Sequence, residues 1–222
     1  MTALRLAHRG DWRRAPENSL PAMVAALRLP TCDGLEFDVR YALDGVPIVL
    51  HDPTLARVQG IAIDAADLTA TELGTLGVPT LESVLIAAGP AAFLDIELKE
   101  PPNATCLNLI EGARGVADGG LRRVVVSSFE AAIIRAVAEA RPGWPRWLNS
   151  HVLSPATVAR AVDLGCVGIS AEWHAIDPRS AEWTLGAGLA LAAFTVRRRA
   201  TFERLSGLGV GAMCVEGTAL DA

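Results

Sequence analysis

The fold turns on the stretch Ala92-Phe93-Leu94-Asp95-Ile96-Glu97-Leu98-Lys99. It is an apolar run that ends in charge. A segment with helical spacing follows from Ala104 to Asp118, and then a second apolar run, Arg122 to Ser127. Strand, helix and strand in that order make the crossover unit of a parallel sheet. The unit recurs along the chain. Working outward, strands are expected at Leu4–Arg9, Leu35–Arg40, Trp144–Asn149, Cys166–Glu172, Leu189–Val196 and Val210–Val215. Helices are expected at Ser19–Leu29, Leu81–Ala88, Ala131–Ala140, Pro155–Leu164, Pro178–Gly186 and Thr201–Leu208. Ser154 before Pro155, Asp177 before Pro178, and Thr80 before Glu82 supply starting signals. Eight strands with seven intervening helices predict a single (β/α)₈ barrel domain over 1–222, with a truncated final helix. An open doubly wound sheet would show the same periodicity.

One arm breaks the alternation. Pro47 to His51 follows Asp44-Gly45 with no helix between, which reads as a β-hairpin extending the second strand. A two-residue Asp-Gly loop would pair Leu43 with Val46 and set Asp38 opposite His51.

Composition narrows the partners. The 222 residues include 20 basic and 25 acidic side chains, a net charge of −5. That balance weighs against a nucleic-acid partner, whose binding needs a basic face to displace counterions. Short arginine clusters, Arg197 to Arg199 among them, read as solvated element ends. No apolar stretch reaches the ~20 residues of a membrane span, so no stable membrane insertion is expected, and no secretory signal is read at the start. Cys32, Cys106, Cys166 and Cys214 are widely spaced without a zinc-ligand pattern, as expected of buried thiols in a cytoplasmic, reducing setting. Lys99 is the only lysine; every other basic side chain is arginine.

In barrels of this kind, chemistry gathers at the C-terminal strand ends. Those ends are polar here: His8 and Arg9, Glu36 and Asp38, His51 and Asp52, then Asp95, Glu97 and Lys99. Residues two apart on a strand share a face, so Glu36 pairs with Asp38 and Glu97 with Lys99. Three carboxylates buried together need a cation, and oxygen donors alone favour Mg²⁺ or Ca²⁺ over zinc. The competing reading is a structural ion network joining Glu36 and Asp38 to Arg9 and Arg40. Two histidines over such a cluster suit acid and base roles. His151 and His174 follow later strands and read as surface or rim residues.

The motifs His8-Arg9-Gly10, Pro16-Glu17-Asn18-Ser19, Glu36-Phe37-Asp38-Val39, Asp44-Gly45, His51-Asp52, Pro79-Thr80-Leu81-Glu82 and Glu97-Leu98-Lys99 resemble, in order and spacing, the glycerophosphodiester phosphodiesterase family of metal-dependent (β/α)₈ barrels. The match is dense from Leu4 to Lys99 and continues weakly through Ser127-Ser128-Phe129. The resemblance implies acid and base roles for His8 and His51, metal ligation by Glu36, Asp38 and Glu97, and phosphate contact by Arg9 and Lys99. It implies a small-molecule glycerophosphodiester substrate. Either water or the neighbouring glycerol hydroxyl would attack, the latter through a cyclic phosphate.

The departures are local. Only Pro53 to Val78 stands where the family inserts a larger lobe, so that lobe is short or absent. Phe194-Thr195-Val196-Arg197 replaces Trp-Thr-Val-Asn, and Cys214-Val215-Glu216-Gly217 replaces Thr-Asp-x-Pro. Arg197 therefore either reads an added anionic group on the substrate or points to solvent. Trp12, Trp173, Phe194 and Arg197 are the expected substrate rim. A lysophospholipid substrate and a non-catalytic anion-binding barrel are the competing functions.

Overall fold

The computed structural model describes residues 3–117 and 120–221. Eight parallel strands, β1 (Leu4–His8), β2 (Gly34–Tyr41), β3 (Phe93–Leu98), β4 (Val124–Ser128), β5 (Arg146–Ser150), β6 (Gly168–Glu172), β7 (Ala190–Val196) and β8 (Ala212–Val215), pair in chain order. Because β1 hydrogen-bonds both β2 and β8, the sheet closes into a barrel, which removes the open-sheet alternative. Between the strands lie α1 (Leu20–Leu27), α2 (Leu81–Ala88), α3 (Ala104–Arg114), α4 (Ala131–Ala140), α5 (Pro155–Asp163), α6 (Pro178–Gly186) and α7 (Arg199–Gly207). After β8 comes a single 3₁₀ turn, Gly217–Ala219, the expected truncated final helix. Ser154, Asp177 and Thr80 cap their helices with side-chain oxygens, as the sequence signals require.

Strand parity sorts the core into two regions. Residues facing outward pack against the helices as one large apolar cluster. Inside the barrel, Leu6, Val125, Trp147, Ala192 and Ala212, with Leu4 and Phe93 against them, form an apolar plug. Two residues further along the same faces come His8, Asn149, Phe194 and Cys214, which line a cavity at the barrel mouth, and Ser127, which is buried below it. The plug thus ends where the polar strand ends begin. Gly168 makes room for it: a Cβ there would sit 2.7 Å from Trp147 Nε1 and from the Ala190 carbonyl oxygen.

Two local expectations need correction. The hairpin closes through three residues, Leu43-Asp44-Gly45, with Gly45 at φ +74° and Ala42 N–H donating to Val46 O. A glycine in the left-handed region closes that longer loop. The register therefore pairs Val39 with Val49 and Arg40 with Ile48, and Leu50, not His51, hydrogen-bonds to Asp38. The second correction is the helix expected from Ala104 to Asp118. It stops at Arg114, because Gly115 leaves helical geometry at φ +64° and Val116–Ala117 pairs with Gly120–Leu121. Asp118 lies outside the described residues.

Residues 53–78 are short but folded. They hold a one-turn helix (Ala56–Gln59), a 3₁₀ turn (Ala65–Asp67) and a helix (Ala70–Thr75). Leu55, Ala65, Leu73 and Val78 join Ile48 and Leu50 of the return arm in a separate small core. This lobe leans on the hairpin beside the mouth.

Candidate active site

Parity and register bring three carboxylates together. Glu36 and Asp38 stand on one face of β2, and the ladder aligns Asp38 with Glu97 and Glu36 with Asp95 of β3. One carboxylate oxygen from each of Glu36, Asp38 and Glu97 lies within 4.8 Å of the other two, and all three residues are buried. Burial and the Asp38 charge push Glu36 well above the usual carboxylate range and Glu97 up to about 6. Burial likewise raises Asp95 to about 7, despite the bond that Ser127 Oγ donates at 2.6 Å. Asp38 is the exception. Burial works against its charge, but Lys99 and Arg9 outweigh burial and hold it well below the usual range.

Existing cations serve only part of this cluster. Lys99 Nζ reaches Asp38 Oδ1 at 2.9 Å and also bonds Glu97. Arg9 Nε forms an ion pair with Asp38 Oδ2 at 3.1 Å, and Asn18 Nδ2 donates to the same oxygen at 2.9 Å. Glu36 Oε2 has no hydrogen-bond partner among the described residues, and the nearest basic nitrogen is His8 Nε2 at 3.7 Å. Arg40 is no part of the network, since it bonds the His51 carbonyl and Glu100. A buried, unsatisfied carboxylate oxygen beside two others is the donor set that suits a hard divalent cation.

The histidines flank this cluster. His8 is the last residue of β1, and its Nδ1 lies 2.6 Å from Glu216 Oε1. His51 arrives from beyond the return arm, with Nδ1 2.6 Å from Asp52 Oδ1. In each ring the carboxylate takes Nδ1 and leaves Nε2 on the other side. Burial lowers the His51 pKa, with Asp38 opposing in part. Behind the carboxylates stand arginines: Arg57 Nε meets Asp52 Oδ2 at 2.5 Å, and Arg197 Nε meets Glu216 Oε2 at 2.7 Å. Arg57 also grips Glu17 at 2.7 and 2.8 Å, and Glu17 accepts from Arg9 at 2.8 Å. The lobe is thereby tied to the loop after β1.

Arg9 sits at φ +59° and Asn18 at φ +55°. Left-handed backbone costs a non-glycine residue about 1–3 kcal/mol and persists only where the surroundings enforce it. Here Arg9 N–H donates to Glu36 O and Asn18 N–H to Arg9 O, which pin the loop so that both side chains reach Asp38.

The cavity occupies about 750 Å³ and is lined by His8, Arg9, Glu36, His51, Glu97 and Lys99, with Trp12, Phe194 and Arg197 at its edge. Asp38 lies beneath, fully buried. Trp173 does not line it. It faces a neighbouring groove with Arg198 and Thr201 and stacks on His174, because β6 ends in a 3₁₀ turn that carries both residues past the rim. His151 does reach the cavity and stacks on Phe129 at 4.8 Å, and the two meet Phe194 edge-on. Glu216, assigned no role from the sequence, lines the cavity and contacts His8. Its position in an altered motif at a strand end was the available signal.

A model of the Glycerophosphoryl diester phosphodiesterase family matches residues 8–219. A glycerophosphodiester phosphodiesterase of Caldanaerobacter subterraneus is 27% identical, with 95% of this chain and 92% of that protein aligned. Two solved structures share the fold. A phosphodiesterase of Oleispira antarctica, determined with its product sn-glycerol-3-phosphate, superposes with a TM-score of 0.83 at 22% identity over 96% of this chain and 93% of its own. A glycerophosphodiester phosphodiesterase of Agrobacterium tumefaciens gives 0.81 at 24% identity, covering 99% and 98%. With its closed barrel and a family match that runs from the first site histidine past the last strand, the chain belongs to the glycerophosphoryl diester phosphodiesterase family and is a hydrolase of phosphoric diester bonds.

Proposed function

We propose that the protein hydrolyses glycerophosphodiesters to glycerol 3-phosphate and an alcohol. The observation that carries this reading is the pair of histidines, each anchored through Nδ1 to a carboxylate, on either side of the Glu36–Asp38–Glu97 cluster. One Nε2 takes the proton from the attacking hydroxyl, whether of water or of the adjacent glycerol carbon, and the other gives a proton to the leaving alcohol oxygen. Arg9 and Lys99 contact the phosphate and balance charge on its oxygens. Glu36, Asp38 and Glu97 would hold a divalent cation, Mg²⁺ or Ca²⁺, which when bound supplies further positive charge to the phosphoryl group. The alcohol part of the substrate would lie toward Trp12 and Phe194.

A second substrate type has one observation in its favour. Beyond Glu17, a groove of about 300 Å³ is walled by Pro21, Val58, Ile61 and Leu76, an apolar surface suited to the acyl chain of a lysophospholipid. No helix of the described residues is long and apolar enough to cross a membrane. The four free cysteines support a reducing, cytoplasmic setting.

Product release from glycerophosphocholine, glycerophosphoethanolamine and lysophosphatidylcholine tests the reading. Activity on the first two should vanish in EDTA and return with Mg²⁺ or Ca²⁺. Turnover that survives EDTA would contradict the metal site, and turnover of lysophosphatidylcholine alone would favour the second substrate type.

A further inference from the structure

The two histidines stand on matched supports. Behind His51 run Asp52 and Arg57; behind His8 run Glu216 and Arg197, with corresponding contacts of 2.6 Å at the ring and 2.5 or 2.7 Å at the guanidinium. The first support comes from the His51-Asp52 motif and the lobe. The second comes from the ends of β7 and β8, where this chain departs from the family pattern. Both oxygens of Glu216 are engaged, Oε1 by His8 and Oε2 by Arg197, and the residue is 6% exposed. A carboxylate so buried needs its charge paired. Its backbone N–H donates to Val196 O, while Ala219 N–H and the Thr218 hydroxyl donate to Arg197 O, so the main chain fixes the two strand ends against each other.

We propose that Glu216 and Arg197 are a positioning pair for His8. Glu216 holds the imidazole with its proton on Nδ1 and Nε2 open to the cavity, and Arg197 acts on the chemical step through Glu216 instead of reading the alcohol part of the substrate. The two departures at β7 and β8 are then one coupled change, because the arginine neutralises the carboxylate that the histidine requires. An acid that accepts from Nδ1–H sets both the tautomer and the orientation of a catalytic imidazole. The proposal rests on the reading of His8 as an acid or base.

The test combines turnover with a measurement that needs none. Glu216→Gln conserves volume, but its amide can donate to Nδ1 and stabilise the opposite tautomer. We expect kcat to fall on the order of a hundredfold, with KM changed by less than about threefold. The factor should be the same on glycerophosphocholine, glycerophosphoethanolamine and glycerophosphoglycerol. Arg197→Ala should lower kcat about tenfold, equally across the three esters, and the double variant should be no slower than Glu216→Gln alone. In ¹⁵N-histidine NMR spectra, His8 of the wild type should show the Nδ1–H tautomer at a pH where the ring is neutral. Glu216→Gln should shift it toward Nε2–H. A purely packing role would leave Glu216→Gln at wild-type kcat and tautomer and would overturn the proposal. So would an Arg197→Ala variant that reorders the esters while sparing kcat on any of them, or additive losses in the double variant. If the wild type turns over none of the esters, the phosphodiesterase reading fails, and the NMR result alone decides whether Glu216 sets the tautomer.

Discussion

Lys99 sets its ammonium between Asp38 and Glu97, and although burial disfavours its charge, those two carboxylates hold its pKa above the ordinary lysine value. In a chain where every other basic side chain is arginine, the single lysine bridges two carboxylates of the cluster. A compact ammonium places a point charge between those two oxygens, whereas a planar guanidinium fork favours paired, bidentate contacts. Lys99→Arg should therefore lower kcat by about tenfold or more while the thermal midpoint stays within a few degrees. Wild-type turnover in that variant would assign the lysine to chance. At this scale the sequence was most informative about residue types and least about contacts. Two-residue spacing brought Glu36 beside Asp38, and Glu97 beside Lys99, without any coordinates. It did not reveal that Arg40 turns away to Glu100, or that Glu216 takes His8, since side-chain direction beyond a strand end depends on the loop that follows.

At the level of elements, periodicity located the barrel strands and most helices to within a residue or two. Apolar runs must alternate with helical segments if a parallel sheet is to be covered on its outer face. The hairpin register was not legible in the same way. Asp44-Gly45 suits both a two-residue and a three-residue loop, and only the left-handed Gly45 with its flanking bonds distinguishes them. A shift of one residue moves every side chain of the arm to the other face. That shift sends Leu50 into the lobe core and leaves His51 to reach the site from beyond the strand. The barrel interior offers a sharper test of packing. Gly168→Ala would drive a methyl group to 2.7 Å from Trp147 Nε1 and the Ala190 carbonyl, so the variant should lose about 1–3 kcal/mol in denaturant unfolding. Unchanged stability would mean that the Trp147 plug yields to the added methyl group.

For the molecule as a whole, the acidic mouth couples stability to pH. Glu36, Glu97 and Asp95 have folded-state pKa values above those of an unfolded chain, Glu97 near 6 and Asp95 near 7. Between the unfolded carboxylate range of about 4 and those values, the folded state binds more protons than the unfolded one. Stability of the metal-free protein should consequently decline as pH rises from about 4.5 to 7. Thermal midpoints in EDTA should be higher at pH 5.5 than at pH 7.5, and added Mg²⁺ or Ca²⁺ should raise the midpoint more at pH 7.5. Opposite trends would remove the case for a buried cation site. The proposed catalysis depends on two histidines that share the proton transfers over one carboxylate cluster. Its most direct test is alcohol release from glycerophosphocholine by the metal-loaded wild type, His8→Ala and His51→Ala. The wild type should turn over, and each variant should lose at least about a hundredfold in kcat while folding normally; turnover within a few-fold of wild type in either variant would contradict the assignment.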